Sequence, residues 1–84
     1  MSSSVVEKLA RARDVKVEDS ELRVDLVDGR CITVPLSWFP RLAAASAEAR
    51  ANWELLAEGE GIHWPDADED LSVAGLLAGS RAQG

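Results

Sequence analysis

One cysteine in 84 residues leaves no disulfide to close within the chain, and one cysteine with one histidine falls short of a closed zinc site of the usual composition. Aromatic residues are scarce at 5%: no tyrosine, one phenylalanine, and the three tryptophans Trp38, Trp53 and Trp64. No apolar run approaches the ~20 residues of a membrane-spanning helix. The opening stretch MSSSVVEKLARAR lacks the apolar core of a secretory signal. With the unpaired cysteine, this predicts a cytoplasmic protein away from membranes. Basic residues are also few, nine against fifteen acids, for a net charge of −6 and a pI near 4.6. Phosphates would be repelled by such a surface, which argues against direct nucleic-acid binding.

What is present describes one small globular domain. The chain is 46% hydrophobic and 29% charged, outside the range of disordered sequences. At this length folding buries roughly 60–65% of the unfolded surface, so the core is modest. Charge is uneven along the chain. Lys8, Arg11, Arg13 and Lys16 outnumber Glu7 and Asp14 at the start, whereas Glu54, Glu58, Glu60, Asp66, Asp68, Glu69 and Asp70 follow one another with no Lys or Arg among them.

The pattern predicts an α+β fold: a small antiparallel sheet, built on a β-hairpin with additional short strands, packed with short helices. Ser3 or Ser4 caps a helix over Val5–Arg13, so residues 1–14 read as an N-terminal helical extension, 15–79 as the domain and 80–84 as a tail. Val15 and Val17, then Leu22, Val24 and Leu26, then Ile32, Val34 and Leu36 alternate with polar residues as strands do. Asp28-Gly29 marks the turn. A two-residue loop there would split the aliphatic residues between faces. A three-residue loop, Val27-Asp28-Gly29, pairs Leu22 with Val34 and Val24 with Ile32 on one face, and its type I turn needs glycine in the left-handed position. Pro40 opens a short turn over Arg41–Ala45. Ser46 starts a helix expected to run to about Leu56, with Ala49, Trp53 and Leu56 on one face and Arg50 paired to Glu54 outside. Gly61–Trp64 reads as a strand closed by Pro65, and Ser72–Ala78 as a last helix.

Few residues point to chemistry. Asp66–Asp70 resembles the start of a calcium loop, but Leu71 and Leu77 occupy the positions where that loop needs glycine and glutamate. Capping of the last helix is the expected use of these acids, and Asp66 or Asp68 the expected partner of His63. No nucleophile motif accompanies His63 or Cys31, and Gly59-Glu60-Gly61 is not a phosphate loop, so neither catalytic residues nor a cofactor or metal site are assigned. Trp53 and Trp64 are expected in the core. Trp38 and Phe39, in a proline-bracketed loop, together with Asp66, Asp68, Glu69 and Asp70, are the candidate interaction residues.

A set of pieces in order carries a family resemblance: Asp28-Gly29-Arg30, Val34-Pro35-Leu36, Phe39-Pro40-Arg41-Leu42, Arg50 with Asn52-Trp53-Glu54, Gly61-Ile62-His63-Trp64-Pro65, Asp68-Glu69-Asp70 and Leu76-Leu77. The chain thereby resembles the bacterial domain of unknown function 2442. The resemblance implies a small α+β domain without established enzymatic activity. It also implies a setting beside another small protein, in an arrangement like a toxin–antitoxin pair, and some members carry a DNA-binding helix-turn-helix that this chain lacks. The expected function is therefore a non-enzymatic protein–protein interaction module, antitoxin-like, whose partner is a small basic protein. A homodimer is expected too, since two-fold pairing is the commonest way to cover an apolar patch. The alternative is a small-ligand or metal-responsive sensor using His63 and the acidic segment 66–70, and a hydrolase ranks below both.

Overall fold

The computed structural model describes residues 10–79. Strands β1 (Ala12–Val17), β2 (Glu21–Leu26) and β3 (Cys31–Pro35) form one antiparallel sheet in that order. One 3-10 turn over Leu36–Trp38, helix α1 (Pro40–Ala43) and helix α2 (Ala47–Ala51) lead to a second antiparallel sheet of β4 (Glu54–Leu56), β5 (Gly61–Trp64) and β6 (Glu69–Ser72). Helix α3 (Val73–Leu77) follows directly. The fold is α+β, as the sequence pattern predicts, but with two sheets rather than one. Among the described residues no helix is long and apolar enough to cross a membrane.

The first sheet follows its alternation. Leu22 pairs with Val34 and Val24 with Ile32, while Arg23 faces Thr33 and Asp25 faces Cys31 on the outer side. Leu26 N–H donates to Arg30 C=O (2.8 Å) and Gly29 N–H returns to Leu26 C=O (3.1 Å), which leaves Val27-Asp28-Gly29 as the loop. Gly29 sits at φ +95°. The three-residue loop is the one that puts the aliphatic side chains on a common face, and burial selects it.

Three expected helical features are corrected. The strand β1 already begins at Ala12, so the C-terminal end of the helix expected over 5–13 is extended chain; residues 1–9 and the tail 80–84 lie outside the described residues. Its register with β2 shifts between Ala12 and Asp14, a bulge that lets buried Ala12 and Val15 both face inward. Helix α2 starts as expected, with Ser46 Oγ accepting from Ala49 N–H (3.1 Å), but ends at Ala51. Asn52 leaves helical geometry (φ −94°, ψ 73°), and its side-chain amide donates to Asp66 (2.9 Å). Glu54–Leu56 then pairs with β5, where its backbone groups find partners that a longer helix would have supplied internally. Arg50 consequently does not reach Glu54. Its Nε donates to Leu42 C=O (3.2 Å) and its Nη2 to Ala43 C=O (2.7 Å), satisfying carbonyls at the end of α1.

The last correction concerns α3. Its cap is Ser72, whose Oγ accepts from Gly75 N–H (2.9 Å), whereas residues 65–68 form a turn and Glu69–Asp70 belong to β6. The acids 66–70 therefore do not cap the helix.

Both sheets contribute to one core. Leu22, Val24, Leu26 and Val34 of the first join Ile62 and Trp64 of the second, with Leu36, Phe39, Leu42, Val73 and Leu76 between them. Trp64 is fully buried and its indole N–H donates to Arg50 C=O (3.0 Å). Trp53 is half-buried against the same cluster.

Candidate functional site

The second sheet carries the acidic half of the molecule. Alternation along β5 sends Ile62 and Trp64 into the core and His63 outward. Register then aligns Glu54, His63 and Asp70 across three strands, since Glu54 pairs with His63 and His63 with Asp70. His63 donates from Nδ1 to Asp70 Oδ1. The histidine partner is thus Asp70, across the strand pair, rather than Asp66 or Asp68 in the turn. Those two are engaged elsewhere: Asp66 accepts from Asn52, and Asp68 holds Arg41 through its backbone C=O (2.9 Å) and, at 3.7 Å, its carboxylate. Among the described residues no group of three or more His, Cys, Asp or Glu is placed to hold a metal ion.

Two of the sequence candidates are interior. Phe39 is 1% exposed and forms part of the core, packed edge-to-face with Trp38 at a ring-centroid separation of 6.5 Å. Trp38 itself is half-buried against the core, so the proline-bracketed loop turns its aromatics inward. Glu69 is 7% exposed; Oε1 accepts from the Asp70 N–H (3.2 Å) and Oε2 has no hydrogen-bond partner among the described residues. Asp66, Asp68 and Asp70 remain exposed. Phe39 and Glu69 are therefore withdrawn from any contact surface.

Sequence reading missed the apolar part of this surface. Every residue of β4 is exposed, including Leu55 (37%) and Leu56 (43%). The strand is an outer one, paired with β5 on one side only among the described strands. Glu54, Glu58 and Glu60, all exposed, flank the two leucines. The following loop is tightly wound, with Ala57 at φ +50°, Glu58 at +59° and Gly59 at +98°. Glu58 reaches Arg11 at 3.6 Å, where the carboxylate remains largely solvated. In sequence, Leu55-Leu56 reads as the end of an amphipathic helix; a three-residue strand is too short to display alternation.

A family model described as a protein of unknown function, DUF2442, matches residues 12–82. The chain belongs to this family. The match runs from the first residue of β1 to beyond α3, so both sheets of the DUF2442 domain lie inside it. A crystal structure of a protein of unknown function from Rhodospirillum rubrum is similar at TM-score 0.75 and 32% identity, over 88% of this chain and 92% of that one. The solution structure of an uncharacterized protein from Chromobacterium violaceum shares the fold at TM-score 0.76 and 20% identity, over 98% of this chain and 77% of that one. No curated protein matches this DUF2442 domain.

Proposed function

We propose that this DUF2442 domain is a protein-binding module whose contact strip is the open edge of β4 and whose rim is the surrounding carboxylates. The observation that carries the reading is the exposure of Leu55 and Leu56 on a strand with no buried residue. An unpaired strand edge with apolar side chains is a surface on which another chain gains both backbone hydrogen bonds and apolar burial. Glu54, Glu58 and Glu60 beside it, with Asp66, Asp68 and Asp70 on the same half of the chain, favour a basic partner and speed its approach. A small basic protein of the kind an antitoxin neutralises is the specific form of this reading.

Binding is favoured over catalysis because Cys31 and His63 lie on different sheets, so thiol and imidazole do not meet, and the groups paired with His63 are the carboxyl residues Glu54 and Asp70 rather than a nucleophile. The sensor alternative requires His63 to converge with the acids of 66–70. The side chains of Asp66 and Asp68 are directed to Asn52 and Arg41, so Asp70 is the acid of that segment that bonds His63. The test is co-expression with the product of the neighbouring reading frame, followed by calorimetry on the purified complex. The double variant Leu55→Asp, Leu56→Asp should weaken binding at least about tenfold with tryptophan fluorescence unchanged, since both sites are exposed. Affinity should also fall as salt rises. Full affinity in the double variant removes the assignment to β4.

A further inference from the structure

A second open edge lies on the other sheet. One of the two outer strands of the first sheet is β1, and no described strand pairs with its far side. The bond from Glu18 N–H to Glu21 C=O (2.9 Å) sets which residues face inward along the ladder. Pairs 18–21, 16–23 and 14–25 are the hydrogen-bonded ones, so the backbone groups of Val15 and Val17 point away from β2. The start of the edge is covered: a Cβ on Gly59 would stand 2.6 Å from Ala12 C=O, so the loop after β4 lies against that end of the strand. From Val15 to Asp19 the edge instead borders an open groove of about 390 Å³, closed on its far side by Ala47, Ala51 and Trp53.

We infer that this edge pairs with the same edge of a second copy, antiparallel and centred on Val17. Charge complementarity and register both favour this pairing. With Val17 opposite Val17 of the second copy, their outward N–H and C=O groups form a reciprocal hydrogen-bonded pair. Lys16 then stands opposite Glu18, and Glu18 opposite Lys16, in the closer non-hydrogen-bonded positions. Lys16 and Glu18 are both exposed and project to the same outer face. Sliding the centre one residue to Lys16 would set lysine against lysine. Centring on Val15 would match Asp14 with Lys16 but would carry Glu18 of the second copy against Ala12, where the Gly59 loop lies, so charge and that cover together select one register. Half-buried Val17 of each copy covers the other beside Trp53, and the two sheets become one of six strands. The β4 edge stays free in this arrangement, so the inference stands apart from the partner-binding reading.

Charge exchange provides the test, because both residues are exposed and their replacement leaves the core intact. Sedimentation equilibrium on the full chain should show a concentration-dependent dimer. Lys16→Glu alone or Glu18→Lys alone places like charges at both contacts and should weaken the dimer at least about tenfold. The double variant Lys16→Glu, Glu18→Lys should restore it, and mixing the two single variants should give a heterodimer tighter than either homodimer. A wild-type chain that stays monomeric at near-millimolar concentration overturns the inference. So do single variants that dimerise as well as wild type, an outcome that would place the contact elsewhere, or a groove that takes only a foreign peptide.

Discussion

Gly29 and Gly59 both adopt positive φ, at +95° and +98°, for different reasons. Around Gly29 a Cβ would meet nothing within 4 Å, so only the backbone preference is at stake. Gly29→Val should cost about 1–2 kcal/mol, the penalty for a left-handed L-residue. At Gly59 a Cβ also collides with the backbone of β1. Gly59→Ala should therefore be the more damaging change in urea denaturation, and the opposite order would contradict the packing of this loop on Ala12. Beside Gly29, Asp28 accepts from the Arg30 backbone N–H (3.0 Å) and from its guanidinium (2.7 Å), which hold its carboxyl below the ordinary value of 3.8. Since the folded-state value is the depressed one, the stabilisation is complete above 3.8 and is lost as pH falls through the folded value. Asp28→Asn should flatten that part of the acid-side stability curve. A carboxyl titration by NMR should place Asp28 below 3.8, and a midpoint at or above it would argue against the turn geometry.

At the scale of elements, the helices are too short to stand alone and depend on caps and tertiary carbonyl partners. Ser46→Ala removes the acceptor for Ala49 N–H and should cost about 1 kcal/mol. Arg50→Lys should also destabilise, because an ammonium cannot reach the Leu42 and Ala43 carbonyls with the guanidinium's fork. Glu54→Ala, in contrast, should stay within about 0.5 kcal/mol, as Glu54 is exposed on β4 and makes no bond to Arg50. A loss from Glu54→Ala as large as that from Arg50→Lys would revive the longer helix with an Arg50–Glu54 pair.

For the molecule as a whole, the two sheets share one core, with Leu22, Val24 and Leu26 in the same cluster as Ile62 and Trp64. Neither sheet has an apolar core of its own to fall back on, so unfolding should be a single transition. Trp64 fluorescence and far-ultraviolet circular dichroism should give the same urea midpoint. Separate midpoints would show that the sheets unfold independently. Unfavourable features at this scale are Glu69, buried with an unpartnered Oε2 on the face that carries Trp64, and the buried, unpartnered Nε of Arg11.

Local pattern determined the hairpin of β2 and β3. The alternation of Leu22, Val24, Ile32 and Val34 and the glycine at position 29 admit one register that buries a common face, because side-chain period and turn type are short-range properties. The same holds for Gly61–Trp64 and for the N-terminus of α2 at Ser46. The family membership was legible as well, in pieces spread over both sheets. Where α2 ends was not, since Glu54–Leu56 is rich in helix formers and only its pairing with β5 makes it a strand. The loop of Trp38 and Phe39 was likewise ambiguous; in the fold Phe39 joins the shared core and Trp38 packs against it. Tertiary structure alone decided which acids remained outside, burying Glu69 while leaving Asp66, Asp68 and Asp70 in solvent. It also decided which edges stayed open, because a strand's sequence specifies its faces but not the neighbour that covers its side.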